Sequence, residues 1–175
     1  KIELKNVNKE NKTGEVIVKS PSNFLGYWGE RLEKQTELNS GDLAYYRIIE
    51  GKKYFYLRGR TKELINRGGG KIFPLELEAE IRSFGVDKGF HIISIYNEKF
   101  GEEVAMVVKE SLNCNILYQI PSYRRPKKVY LLNEFFVTSA GKIKRREMSN
   151  YCSDQKNNVK IIWEFIGFLL SDFHF

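Results

Sequence analysis

The chain has 175 residues, 42% of them hydrophobic and 14% aromatic, and a formal net charge of +7. This length and apolar content support one domain, or one domain with part of another, and exclude disorder over most of the chain. The basic balance favours an anionic partner (nucleic acid, anionic lipid or a phosphorylated small molecule) without choosing among them.

The first third reads as β-structure. Ile2, Leu4 and Val7 are loosely spaced, Val16 to Val18 follow a turn at Thr13-Gly14, and Asn23 to Trp28 reads as an aromatic loop broken by Gly26. Leu43 to Ile49 and Tyr54 to Leu57 are β-branched and aromatic runs joined by Glu50-Gly51-Lys52, a hairpin signal. The pattern changes after Gly59-Arg60. Glu63 to Asn66 and Lys71 to Phe73 read as short strands around Gly68-Gly69-Gly70. Pro74 suits the first turn of a helix, with Leu75, Leu77, Ile81 and Phe84 at helical spacing and Gly85 ending it. Phe90 to Tyr96, Val104 to Val108 and Val129 to Leu132 read as strands, and Lys144 to Tyr151 as a short helix, while Asn113 to Tyr123 fits no one pattern.

In the tail, Lys160, Glu164, Gly167 and Ser171 recur at helical spacing, and nine apolar residues from Val159 to Leu170 cover the remaining faces. This predicts a buried helix with Trp163 shielded from water. It packs on its own domain, or serves as a self-association surface or a dock for a further domain. The run is interrupted by Lys160 and Glu164 and is shorter than the ~20 residues of a membrane helix, so no transmembrane segment is expected. Cys114 and Cys152 are far apart without zinc-type spacing, which reads as reduced thiols in a cytoplasmic protein. No signal peptide opens the sequence, and its start at Lys1 fits a fragment or a processed chain.

Three glycine-associated motifs carry the chemistry. Ser40-Gly41-Asp42 stands just before a strand. A carboxylate there can accept from two adjacent hydroxyls, as a ribose presents them, or simply close its own turn. Leu57 to Lys71 places three consecutive glycines among Arg60, Lys62, Arg67 and Lys71. Backbone could approach a ligand closely there, or form a plain hairpin loop. The dinucleotide spacing fails, since Phe73 stands where a third glycine belongs. In Thr138-Ser139-Ala140-Gly141-Lys142, a lysine after a glycine turn can present a point charge to phosphate oxygens. It is not a Walker-type loop, because Phe136 replaces the upstream glycine and Ile143 the hydroxyl residue. His91 and His174 are distant in sequence, and His91 reads as a structural histidine within a strand. Glu76 and Glu78 point to different sides of their helix and make no carboxylate pair. No metal site is expected.

Taken in order, these motifs resemble the adenylate-forming superfamily of acyl-CoA synthetases, luciferase-like enzymes and peptide-synthetase adenylation domains. Gly14 to Val18 and Gly26-Tyr27-Trp28 are similar to its G-E-[LIV]-x-[LIV] strand and the loop after it. Ser40-Gly41-Asp42 is similar to T-G-D, Gly59 to Lys62 to G-R-x-[DK], and Gly69 to Lys71 with Pro74 to Glu78 to G-x-[RK] and P-x-E-[IL]-E. Pro126 to Val129 resembles the family's P-[KR]-x-[IV], and Thr138 to Lys142 its T-x-x-G-K. The match runs from Gly14 to Arg146. It departs at Phe136 and Ala140, and in a short stretch between Lys109 and Pro126.

The resemblance implies roles. Asp42 would bind the ribose of ATP or AMP, with Arg60 supporting the same nucleotide. Lys62 would be the hinge between two domains. Gly68, Gly69 and Gly70 would line the pantetheine path of CoA, with Lys71 near the AMP phosphate. Lys142 would reach the substrate carboxylate and the α-phosphate. Mg2+ would accompany ATP on ligands outside this chain. The implied fold is α+β: a small C-terminal mobile domain over 61–150, preceded by the β-rich end of a large domain over 1–60 and followed by the helical tail over 151–175. The family's phosphate loop and acyl pocket lie upstream of anything present here, so the chain alone would be inactive and would need a large N-terminal domain as partner. The parent activity is ligation of a carboxylic acid to CoA, or to an acyl carrier protein if the peptide-synthetase reading holds. A non-catalytic binding module is the third reading, and a nucleic-acid partner is not expected.

Overall fold

In the computed structural model, which describes residues 1–9, 11–24, 26, 28–29, 36–87, 89–157 and 159–164, the chain divides into two units, Lys1–Leu64 and Ile65–Phe175. Tyr27 of the aromatic loop and the tail from Phe165 onward, His174 included, lie outside the described residues.

The first unit is an antiparallel sheet of β1 (Ile2–Lys5), β2 (Gly14–Lys19), β3 (Glu37–Ile49) and β4 (Lys52–Arg60), in that order. Its buried hydrophobic residues are Val16, Ile17, Leu43 and Ala44. The β3–β4 turn uses Glu50 and Gly51 at φ 49° and 75°, the left-handed pair that matches strand twist. Ser40-Gly41-Asp42, expected as a turn ahead of a strand, instead lies inside β3. Pairing with β2 steps from Asn39↔Ile17 to Leu43↔Glu15, so these three residues bulge opposite Val16. Gly41 at φ 75° permits the bulge, while Asp42 stays paired with Arg60 of β4. A single 3-10 turn, Thr61–Glu63, follows β4.

The second unit begins with a hairpin of β5 (Ile65–Arg67) and β6 (Gly70–Ile72), followed by α1 (Pro74–Ser83). Then come β7 (Phe90–Asn97), β8 (Gly101–Val108), a 3-10 segment at Cys114–Gln119, β9 (Lys128–Leu131), α2 (Arg145–Ser153) and β10 (Lys160–Glu164). β8 is the hub of a mixed sheet. It pairs antiparallel with β7, parallel with β9, and with β5 through Arg67↔Gly101. Its residues Glu103–Val108 are or border on fully buried, as expected of a strand covered on both faces.

Strand alternation sends Ile92, Val104, Met106, Val108 and Val129 to one face, where Leu77 and Ile81 of α1 pack. Ile93, Ile95, Ala105, Val107 and Tyr130 go to the other, under Met148 and Cys152 of α2. The apolar face of α1 differs from the expected one. Leu75 is exposed, and the buried positions are Pro74, Leu77, Glu78 and Ile81. The architecture is α+β, as the sequence implied.

The tail departs from expectation. Lys160–Glu164 is a strand, not part of a helix. It pairs antiparallel with β9, with an irregularity between Ile161 and Trp163. Lys128 and Glu164 close the pair at 2.9 Å. Helical spacing is a weak prior that tertiary pairing overrides, and here the edge of β9 supplies a strand partner for Lys160–Glu164. Among the described residues no helix is long and apolar enough to cross a membrane.

Candidate functional site

The predicted residues fall at three places. In the first unit Asp42 faces Arg60 across the β3–β4 pair, and Arg60 Nε lies 3.3 Å from Asp42 Oδ1. The bulge fixes the carboxylate from behind. The Asp42 amide donates to Ser40 Oγ at 3.2 Å, Ser40 Oγ donates to the Val16 carbonyl at 3.2 Å, and the Gly41 amide donates to Asn39 Oδ1 at 2.9 Å. β4 carries its own irregularity, since Leu43 faces Gly59 and Ala44 faces Leu57. The extra residue, Arg58, donates to Thr13 Oγ1 at 2.8 Å. The Asp42 side chain keeps 30% exposure, so a ligand can reach it. Lys62 is exposed on the 3-10 turn that ends this unit.

The second place is the β5–β6 hairpin. Gly68 and Gly69, at φ 54° and 86°, form its two-residue turn, and Asn66 pairs with Lys71. The base is clamped. The Gly68 amide donates to the Phe100 carbonyl at 3.0 Å, the Asn66 amide donates to Glu102 Oε2 at 2.6 Å, and Arg67 Nε donates to Glu103 Oε1 at 2.5 Å while stacking 4.2 Å from the Phe100 ring. A Cβ on Gly68 would come within 3.1 Å of Phe100, whereas one on Gly69 would meet nothing within 4 Å. The tip is thus bare backbone open on its outer side, with the exposed Lys71 beside it.

The third place is Lys142. The Thr138 amide donates to the Lys142 carbonyl at 2.8 Å, the Gly141 amide to the Thr138 carbonyl at 2.9 Å, and the Lys142 amide to Thr138 Oγ1 at 3.1 Å. Gly141 at φ 74° makes the turn possible, and an isolated bridge between Val137 and Ile143 closes it. Lys142 is exposed at the tip. The three features have one character: a charged or bare group presented outward from a backbone tied down at its base.

Sequence reading missed one buried cluster. Glu78, whose side chain is 3% exposed, accepts from the Ile92 amide at 2.9 Å and from Arg145 Nη2 at 2.7 Å. Arg82 Nη1 is 3.8 Å from its other oxygen, and His91 Nδ1 is 3.6 Å from Oε1. Burial alone would raise the Glu78 pKa. The His91 imidazole, the Arg145 charge and the Ile92 amide outweigh it and hold the carboxyl below its ordinary value. The available signal was an acid at the position after Leu77 and before Ile81, on the face turned to the core. His91 packs edge-on against Phe135 at 4.7 Å between ring centres.

A groove of about 1060 Å3 in the second unit is lined by Arg67, Lys127, Tyr130, Cys152 and Glu164 among others, and includes neither the glycine tip nor Lys142. Both cysteines are free and buried, and burial pushes the Cys152 thiol up to about 12. Cys152 is therefore an inert core residue at neutral pH.

No family model matches the chain. Among curated proteins it is 28% identical over 160 residues to the oxalate–CoA ligase of Arabidopsis thaliana, covering 83% of this chain and 30% of that protein. It is 29% identical over 152 residues to the 2-succinylbenzoate–CoA ligase of Enterococcus faecalis, covering 81% and 31%. Among solved structures it resembles the o-succinylbenzoate CoA synthetase of Bacillus subtilis in complex with its acyl-adenylate intermediate (TM-score 0.69, 21% identity, 85% of this chain and 33% of that one). It also resembles ATP-bound MatB of Rhodopseudomonas palustris (TM-score 0.66, 25% identity, 82% and 31%). The chain is acyl-CoA synthetase-like, similar in sequence to these CoA ligases and in fold to adenylate-forming enzymes. It spans about a third of the length of the ligases it matches. The geometry of its glycine hairpin and Lys142 turn can be read against that likeness.

Proposed function

We propose that the chain is the C-terminal part of an ATP-dependent carboxylate–CoA ligase, which forms an acyl-adenylate and then an acyl thioester. The observation that carries this reading is the order of the Asp42–Arg60 pair, the bare glycine tip and the tied-down Lys142 turn along a chain similar to CoA ligases.

Asp42 accepts from the two ribose hydroxyls of ATP or AMP, and Arg60, 3.3 Å away across the strand pair, supports the same nucleotide. Lys62 is the hinge residue between the large domain, of which 1–60 is the β-rich end, and the mobile domain over 61–150. Lys142 brings a cation to the point where a carboxylate attacks the α-phosphate. Two anions approach one another there, and a fixed positive charge on the developing transition state lowers the barrier. Lys142 has no counterpart role in the second step. There the tip at Gly68, Gly69 and Gly70 lines the pantetheine path, where a backbone without side chains leaves room for a narrow thiol arm, with Lys71 near the AMP phosphate. One mobile domain serves both steps by changing which turn faces the substrate.

Mg2+ neutralises phosphate charge when ATP is bound. Its ligands would belong to the remainder of the ligase. The acyl pocket and the phosphate loop belong there too, and the 175-residue chain alone is inactive. The free thiols fit a cytoplasmic enzyme. The test is ATP–pyrophosphate exchange. The purified chain should show none with any carboxylic acid. The Enterococcus faecalis ligase with its matching third replaced by this chain should exchange with 2-succinylbenzoate and lose that exchange on Lys142→Ala. Exchange by the isolated chain, or a chimera indifferent to Lys142→Ala, would overturn the reading.

A further inference from the structure

The Lys142 turn is followed at once by α2, and the start of that helix is electrostatically wrong. Lys144, Arg145 and Arg146 occupy its N-cap and first two positions, where the helix dipole presents positive charge and acids are favoured. No side chain caps the helix. Glu147 offsets one of these cations through Lys144, at 3.0 Å. For Arg145 the offset comes from another element: its Nη2 lies 2.7 Å from Glu78 Oε1, with the two side chains 10% and 3% exposed. Glu78 is itself fixed, because it accepts from the Ile92 amide of β7 and sits on α1 between the buried Leu77 and Ile81.

We infer that Glu78 and Arg145 are positioning residues, a buried ion pair that sets where the Lys142 turn stands on the second unit. The path from the pair to the lysine is short. Arg145 is three residues from Lys142, and between them the Lys144 amide donates to the Phe136 carbonyl at 2.9 Å while Ile143 packs against the second core. Only the turn's own hydrogen bonds and the Val137–Ile143 bridge lie beyond. The same pair reaches back towards the glycine tip, since α1 begins four residues after Gly70. Both loops therefore hang from elements that this carboxylate and guanidinium join. A planar guanidinium suits the role, because it can pair with a carboxylate in a fixed orientation while buried, which an ammonium does less well. The link between this pair and catalysis rests on the ligase reading, but the placement of the turn does not.

Amide hydrogen exchange on the full 175-residue chain tests the placement. In Arg145→Gln, the Thr138, Lys142 and Lys144 amides should exchange about tenfold faster or more relative to the β7–β8 amides and to the Gly68 amide, because opening becomes local. Glu78→Gln should loosen the same amides, and Arg145→Lys should recover part of the protection. Acceleration of the turn amides no greater than that of the β7–β8 amides would mean plain destabilisation and would overturn the inference, as would no change at the turn. The chimeric ligase separates this from the function. With ATP and 2-succinylbenzoate, Arg145→Gln should lower kcat for pyrophosphate exchange while the KM for ATP stays within about twofold, the signature of a group acting on the transition state. If Lys142→Ala abolishes exchange and Arg145→Gln leaves it intact, the positioning inference fails alone. If Lys142→Ala leaves exchange intact, the ligase reading fails while the amide result still decides the placement.

Discussion

Arg60 stands directly across from Asp42, and its Nε meets Asp42 Oδ1 at 3.3 Å. The pair is too open to hold the sheet together, with side chains 56% and 30% exposed. Exposed pairs of this kind contribute about 1 kcal/mol or less. Arg60→Ala is therefore expected to leave the melting temperature of the chain nearly unchanged and to weaken AMP binding by the chimeric ligase several-fold, by calorimetry. A large loss of stability would mean that the pair is structural.

On the proposed reading, Lys142→Ala removes one cation from the first half-reaction only. It is expected to slow adenylation by about 10²–10³, as loss of one electrostatic contact to a transition state does. Thioester formation from supplied acyl-adenylate should persist. Equal losses in both steps, timed separately, would remove Lys142 from its assigned place.

The glycine tip predicts the reverse asymmetry. Gly69 has open space where a side chain would go, but its φ of 86° makes any L-residue strained. Gly69→Leu is expected to cost roughly 1–2 kcal/mol in stability from the left-handed backbone and to impair thiol transfer more than adenylation. Unimpaired thioester formation in single-turnover experiments would refute the pantetheine assignment.

These features were unequally legible in the sequence. Local chemistry announced itself: Gly68-Gly69 made a hairpin tip, Pro74 opened a helix and Gly141 turned the chain before Lys142. What remained hidden depended on partners far along the chain. Glu78 meets Arg145 across 67 positions. Ser40-Gly41-Asp42 reads as a turn until β2 and β4 flank it. Lys160–Glu164 has no period that reveals a strand, and only the free edge of β9 decides it.

Glu78 gives the second unit an acid dependence. Its folded pKa lies below its unfolded value, so between the two the unfolded chain binds the extra proton and stability rises with pH. The contribution is complete above the unfolded pKa and is lost as pH falls through the folded one. The groups facing the carboxylate are Arg145, Arg82 and His91. Glu78→Gln is expected to destabilise by roughly 3 kcal/mol at neutral pH, because it leaves Arg145 buried without its counter-charge. The deficit should shrink towards acid. A pH-independent difference in urea denaturation midpoints would show that the carboxylate charge contributes nothing.

Trp163 reports on the strand that replaces the expected tail helix. It is half-buried, packs against the first core and stands edge-on to Tyr118 with ring centres 6.1 Å apart. Trp28, by contrast, is fully exposed. A Trp28→Phe variant therefore isolates Trp163, whose emission should be shifted to shorter wavelength than that of the denatured chain and only partly quenched by acrylamide. Because β10 ends the strand order and, among the described residues, pairs with β9 alone, breaking that pairing should release the indole before the rest of the unit unfolds. Ile162 lies at the irregularity, where a proline is tolerated. Ile161→Pro lies at a regularly paired position, opposite Tyr130, and is the sharper probe. It should red-shift Trp163 while far-UV circular dichroism of the remaining sheet is nearly retained. Emission that is already red-shifted and freely quenched before the substitution would mean that the strand is not docked on β9.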